Sequence, residues 1–275
     1  MVKGFADFEL AAMPHRWPGN WSNRKGMEKS YRYLGYFFLL LIPLAFAGFY
    51  KTYIVQFPTF ENVKYTFIHI HAGIATLWVT LIIAQPFLVV NNKMAWHRRL
   101  GKLSYFIFPL LILSFIPSVI NNLNSDTPRY AFFAIGDGCL LILFYCLAIR
   151  YRRRSPLHMR FMIAAAMVLS GPTIGRILPN IFGFSELATQ NVQFAIIQSI
   201  LIALIIFDIR NGKKYYPYII AIAGWSVHQL VFYYLSLAWV RMSDLDHMPW
   251  QPYLPSSSSS SLKDFSSGNS AIAFL

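Results

Sequence analysis

HIHAGIATLWVTLIIAQPFLVV, residues 69–90, is followed by the basic stretch NNKMAWHRR (91–99) and by LGKLSYFIFPLLILSFIP (100–117). Two apolar runs, each close to the roughly 20 residues a helix needs to cross a bilayer, therefore flank a short cationic loop. Inside the first run lie His69, His71, Trp78 and Gln85. Positions 71, 78 and 85 are one heptad apart, a drift of about 20° per step, so His71, Trp78 and Gln85 share a helix face. His69 and His71 are about 200° apart and cannot both point inward. Ionisable side chains at membrane depth are costly and face a bundle interior or a cavity. That stripe is the first functional clue.

The whole chain fits the same reading. Of 275 residues, 56% are hydrophobic, 17% aromatic and 13% charged. Soluble domains are nearer 25% charged. The formal net charge of +13 does not indicate a nucleic-acid partner, because the cations sit in short loops between apolar runs, as on a charged membrane face. Seven spans are expected, at Tyr33–Tyr53, Phe67–Val90, Leu100–Ile120, Tyr130–Arg150, His158–Phe182, Asn191–Ile209 and Pro217–Val240. Most Lys and Arg fall before the first span and in the loops after spans two, four and six. The positive-inside rule then puts the N-terminus in the cytoplasm and the C-terminus outside. The expected class is an all-α, polytopic bundle of about seven helices (33–240) in a bacterial plasma membrane. A cytoplasmic segment (1–32) precedes it, and a serine-rich tail (241–275) of disordered composition follows. No cleavable signal is apparent at the N-terminus. Cys139 and Cys146 read as buried thiols, and Gly171 and Gly175 as a small-residue packing ridge.

Depth follows from the rise of 1.5 Å per residue. His71 lies near the outer surface and Gln85 near the inner one. His158 and Arg176 are eighteen residues, or about 27 Å, apart on one stripe, and Asp137 lies roughly 10 Å below the outer surface. His228 is near the middle of span seven. The outer half can therefore gather His71, Asp137, Arg176 and His228. The inner boundary gathers His97 and His158. The outer cluster is either a cofactor or substrate site, or structural glue in which Asp137 and Arg176 neutralise each other and His71 bonds across helices. His228 beside Trp225 reads as a satisfied core residue. His97 and His158 are either axial ligands of a b-type haem or interfacial residues among arginines that draw anionic lipid headgroups. An outer haem would need His71 opposite a second imidazole, with Arg176 on a propionate.

HIHAGIATLWVTLIIAQPFL, HRRLGKLSYFIFP (97–109) and LHMRFMIAAAMVLSGPTIGRI (157–177) resemble the signature blocks of a bacterial multi-pass membrane family with a domain of unknown function. More distantly, histidines on successive helices resemble transmembrane b-type cytochromes and ferric-reductase-like domains. That resemblance implies haem and electron transfer across the membrane, the leading expectation here, with His71, His97, His158 and Arg176 holding the cofactor. Span four lacks a histidine, which departs from the cytochrome pattern. Two other classes are open. A zinc-dependent intramembrane hydrolase would use His71, Asp137 and His228. A transporter, sensor or assembly factor would use Asp137 and Arg176 as a gate or proton-coupled pair.

Overall fold

A computed structural model describes residues 28, 31–61, 63, 65–124 and 131–246, the side chains of 237–246 excepted. The first 27 residues of the expected cytoplasmic segment, and the serine-rich tail from 247 onward, lie outside the described residues. The described chain is all-helical: α1 Leu34–Leu39, α2 Leu41–Phe49, α3 Thr66–Val90, α4 Met94–Leu123, α5 Ala131–Arg150, α6 Ser155–Phe182, α7 Glu186–Arg210 and α8 Tyr216–Asp246. Among the described residues, α3 to α8 each contain a window long and apolar enough to cross a membrane. The protein is thus a polytopic helical membrane bundle.

The first expected span is broken into α1 and α2 at Leu40, whose N–H bonds back to Phe37 O in a tightened turn. Neither piece has the length of a span. Its tertiary contacts nevertheless carry it across. Tyr31 stands beside Arg160 near the start of α6, and Lys51 donates to the Asn180 carbonyl near the end of α6. Both pairs are separated by the same number of residues, so the broken segment runs parallel to α6 over twenty residues, about 30 Å. Gly48 makes the close approach possible: a Cβ there would sit 2.9 Å from Thr173 O. Seven crossings result, with the N-terminal side of α1 and the C-terminal end of α8 at opposite ends of the bundle.

The turns show why the helices stop where they do. NNK (91–93) and NGK (211–213) are built alike, with positive φ at Asn92 and Gly212. In each, the Lys N–H reaches back to the last helical turn, Lys93 to Leu88 O and Lys213 to Asp208 O, both at 2.8 Å. Met94–Arg99, expected as loop, forms the first turns of α4 instead. At the other end Gly183, with φ of 69°, stops α6, and Ser185 caps α7.

Helix α6 is the axis of the bundle, 78% buried over its apolar window. It packs against α2, α5, α7 and α8, while α3 and α4 pair with each other on one flank. Ala164, Ala165 and Ala166 at its centre are fully enclosed, with Phe144, Ile197 and Leu201 from its neighbours also buried. Those side chains make an apolar middle layer. Cys139 and Cys146 share a face as expected, but it is the outward one: both thiols are free and exposed on α5, not buried.

Candidate functional site

On α3 the heptad stripe holds together, and what it faces is α4. His71 Nδ1 lies 2.8 Å from Ser114 Oγ, and that hydroxyl already donates to Leu111 O at 2.6 Å. Its lone pair therefore takes the His71 Nδ1–H. One heptad on, Trp78 is fully buried against Phe108 (5.2 Å between centroids) and Tyr145 (5.4 Å). Another heptad on, the Gln85 amide meets His97 and Gly101. Partner numbers fall as stripe numbers rise, so this is an antiparallel seam. His69 points elsewhere, to Tyr53 OH at 2.7 Å.

His97 and His158 are the expected haem pair. His158 Nδ1 donates to Ala148 O at 2.8 Å, the second bond that leaves Nε2 bare for a metal. His97 is set the other way. With the Gln85 oxygen accepting from Gly101 N at 3.1 Å, the amide nitrogen donates to His97 Nδ1, and the neutral ring carries its proton on Nε2. In this setting the His97 ring is held in the opposite sense to His158, so the two rings are not posed alike as Nε2 ligands. Among the described residues, no three His, Cys, Asp or Glu side chains converge as a metal site.

The far-end cluster has a different character. Arg176 is 5% exposed, and its charge is felt at both His71 and Asp137. The expected neutralising pair is not made directly: among the described residues no ion pair within 4 Å joins Asp137 to Arg176. The nearest basic group to Asp137 is His228, with Nε2 3.6 Å from Oδ1, too long for a hydrogen bond. Both His228 ring nitrogens, Asp137 Oδ1 and Arg176 Nε are buried without a hydrogen-bond partner, as are Trp225 Nε1 and Gln190 Oε1. His228 is therefore no satisfied core histidine. It sits where it does because Gly136 opposite has no Cβ, which would collide with the ring. Arg176 itself stacks on Phe49, 4.5 Å from guanidinium carbon to ring centroid, and donates one bond from Nη1 to Pro172 O at 2.7 Å.

Gly171 lies at the hub of this arrangement. The point where its Cβ would stand is 3.2 Å from Gln193 Nε2, 3.6 Å from Asp137 Oδ2 and 3.7 Å from Trp225 Cη2. Gly175 likewise faces Gln193 Oε1 at 3.1 Å. The small-residue ridge thus admits a polar side chain from α7, beyond simple packing. Side chains from α5, α7 and α8 thus come together over this stretch of α6, and Asp137 Oδ1 and Trp225 Nε1 among them are unbonded.

A second ionic cluster, at the end bearing the basic turns, is one that reading the residues singly does not reveal. Arg160 and Asp208 are both fully enclosed. Arg160 donates from Nε to Asp208 Oδ2 at 2.6 Å and from Nη2 to Oδ1 at 2.8 Å. It also donates to both Glu28 oxygens (3.2 and 3.1 Å) and to Pro156 O at 2.9 Å, which uses all five N–H groups. Tyr31 OH donates to Asp208 at 2.7 Å and touches Tyr218 OH at 3.1 Å. In the sequence, Arg160 and Asp208 stand beside basic loops, and neither is singled out there. The one available signal was a lone acid in IIFDIR opposite a lone base in HMRFM, each set in apolar sequence.

No family model, curated protein or solved structure matches the chain.

Proposed function

We propose that this is a non-enzymatic, proton-coupled carrier of a bacterial plasma membrane, with Asp137 as its proton-binding group. The observation that carries the reading is the set of buried, unpartnered atoms on Asp137, Arg176 and His228. Leaving such groups unmade in a low-dielectric interior costs stability, and at membrane depth ionisable residues mark ion and proton pathways. Asp137 exchanges a proton, His228 Nε2 stands 3.6 Å from its Oδ1, and Arg176 supplies the fixed counter-charge. The fully bonded Arg160–Asp208–Glu28 cluster, about 24 Å away along α6, closes the opposite end, and the alanine layer between keeps the two ends insulated.

The basic end meets the cytoplasmic leaflet. Arg99 lies over Trp96 at 5.3 Å, and Arg152 bonds Tyr105 OH at 2.9 Å, so the cations are held at the aromatic belt where anionic headgroups sit.

Infrared difference spectroscopy of the purified protein in lipid, across a pH step, tests the proposal. The expected result is a protonated-carboxyl band that disappears in Asp137→Asn and titrates at a shifted midpoint in His228→Gln. An unchanged band in Asp137→Asn removes the reading. A Soret absorption that shifts on reduction would replace it with haem chemistry.

A further inference from the structure

Resting on that reading, we infer that the unbonded edge of the Arg176 guanidinium is a binding site for a small monocarboxylate, taken up together with one proton on Asp137. The protein supplies its own standard of comparison. Arg160, sixteen residues earlier on the same helix, has every N–H bonded and two carboxylates on its fork. Arg176 is as deeply enclosed, makes one hydrogen bond to a carbonyl, and keeps Nε unbonded. A guanidinium is a planar fork that matches a carboxylate with two parallel bonds. One face of it is already covered by Phe49, so a ligand meets it edge-on. A dianion does not suit a site that carries a single cation and an acidic neighbour.

Coupling to a proton follows from charge. The titratable groups that interact electrostatically with Arg176 are His71 on α3 and Asp137 on α5, and Asp137 has His228 of α8 at 3.6 Å. Where Asp137 is ionised, the empty site holds Arg176 positive and Asp137 negative, and is neutral overall. A carboxylate bound to Arg176 would leave one uncompensated negative charge in a poorly solvated interior. A proton on Asp137 restores neutrality. No bond is broken: the anion and the proton enter and leave together. The apparent affinity therefore rises on acidification, by up to about tenfold per pH unit where Asp137 gives up its proton.

Calorimetric titration with sodium L-lactate of the full chain in lipid nanodiscs tests this, with sodium sulfate and methyl lactate as comparison probes. Saturable lactate binding is expected, weakened about tenfold or more in Arg176→Gln and less in Arg176→Lys, with methyl lactate inert. Far-UV circular dichroism and a single gel-filtration peak certify each variant as folded. In Asp137→Asn the pH dependence of lactate binding is lost. Absence of saturable lactate binding to the folded wild type, undiminished binding in Arg176→Gln, or sulfate binding as tightly as lactate overturns the anion site. PH dependence surviving in Asp137→Asn, with lactate still bound, overturns the proton reading and leaves the Arg176 site standing.

Discussion

Arg160 and Arg176 show how one residue type serves two ends in one helix. At Arg160 the charge is spent on structure: Asp208 and Glu28 take its donors, and Tyr31 and Tyr218 close the ring of bonds. Removing it would leave a buried carboxylate without its partner, so Arg160→Met is expected to cost about 3–5 kcal/mol in unfolding measurements. Tyr31 adds a pH signature. Burial first, and the Asp208 carboxylate besides, hold its phenol well above the ordinary tyrosine range. In the unfolded chain the same group ionises near pH 10. The unfolded state then binds fewer protons than the folded one, so this contribution is full below about pH 10 and falls as pH rises above it. Tyr31→Phe is expected to flatten that alkaline decline while lowering stability at neutral pH by about 1–3 kcal/mol, since Asp208 loses a donor. Denaturant titrations at two pH values check both effects. An alkaline slope identical in the variant and the wild type would show that Tyr31 is not its source.

At the scale of elements, the seam between α3 and α4 decides how much of the histidine pattern is chemistry and how much is assembly. Ser114 receives His71, Phe108 with Tyr145 encloses Trp78, and His97 with Gly101 meets Gln85, so all three stripe residues join helices. Hydrogen bonds between membrane helices average about 0.6 kcal/mol. A double-mutant cycle of His71→Ala and Ser114→Ala is expected to return a coupling on the order of 0.5–1 kcal/mol. Trp78→Ala, which empties a fully buried site, should cost about 3–5 kcal/mol. A His71–Ser114 coupling near zero would mean that the pair does not hold the helices together. The heptad spacing made this stripe legible in advance, because helical geometry alone puts 71, 78 and 85 on one face. Which helix received it was not legible, since the same stripe would fit any apolar neighbour.

For the whole molecule, the first crossing is the consequential feature. Too short and broken to stand by itself, it spans because Tyr31 and Lys51 are tied to the two ends of α6. In a Cys139→Ser, Cys146→Ser background, single cysteines at Arg32 and Thr59, both exposed and on either side of the first crossing, are expected to react with membrane-impermeant thiol reagents from opposite sides. Labelling of both from one side would reduce the bundle to six crossings. Sequence by itself determined the helical class, the long spans within a few residues and their alternating direction, because hydropathy and loop charge are local quantities summed along the chain. It also marked Asp137, Arg176 and His228 as ionisable groups at membrane depth. Only the tertiary structure decided that Arg160 is fully bonded and Arg176 is not, that His97 turns its bare nitrogen toward Gln85, and that Asp137 and Gln193 meet over Gly171. Those are distances between helices far apart in the chain, and a hydrogen bond made or left unmade across such a gap leaves no trace in the residues that flank it.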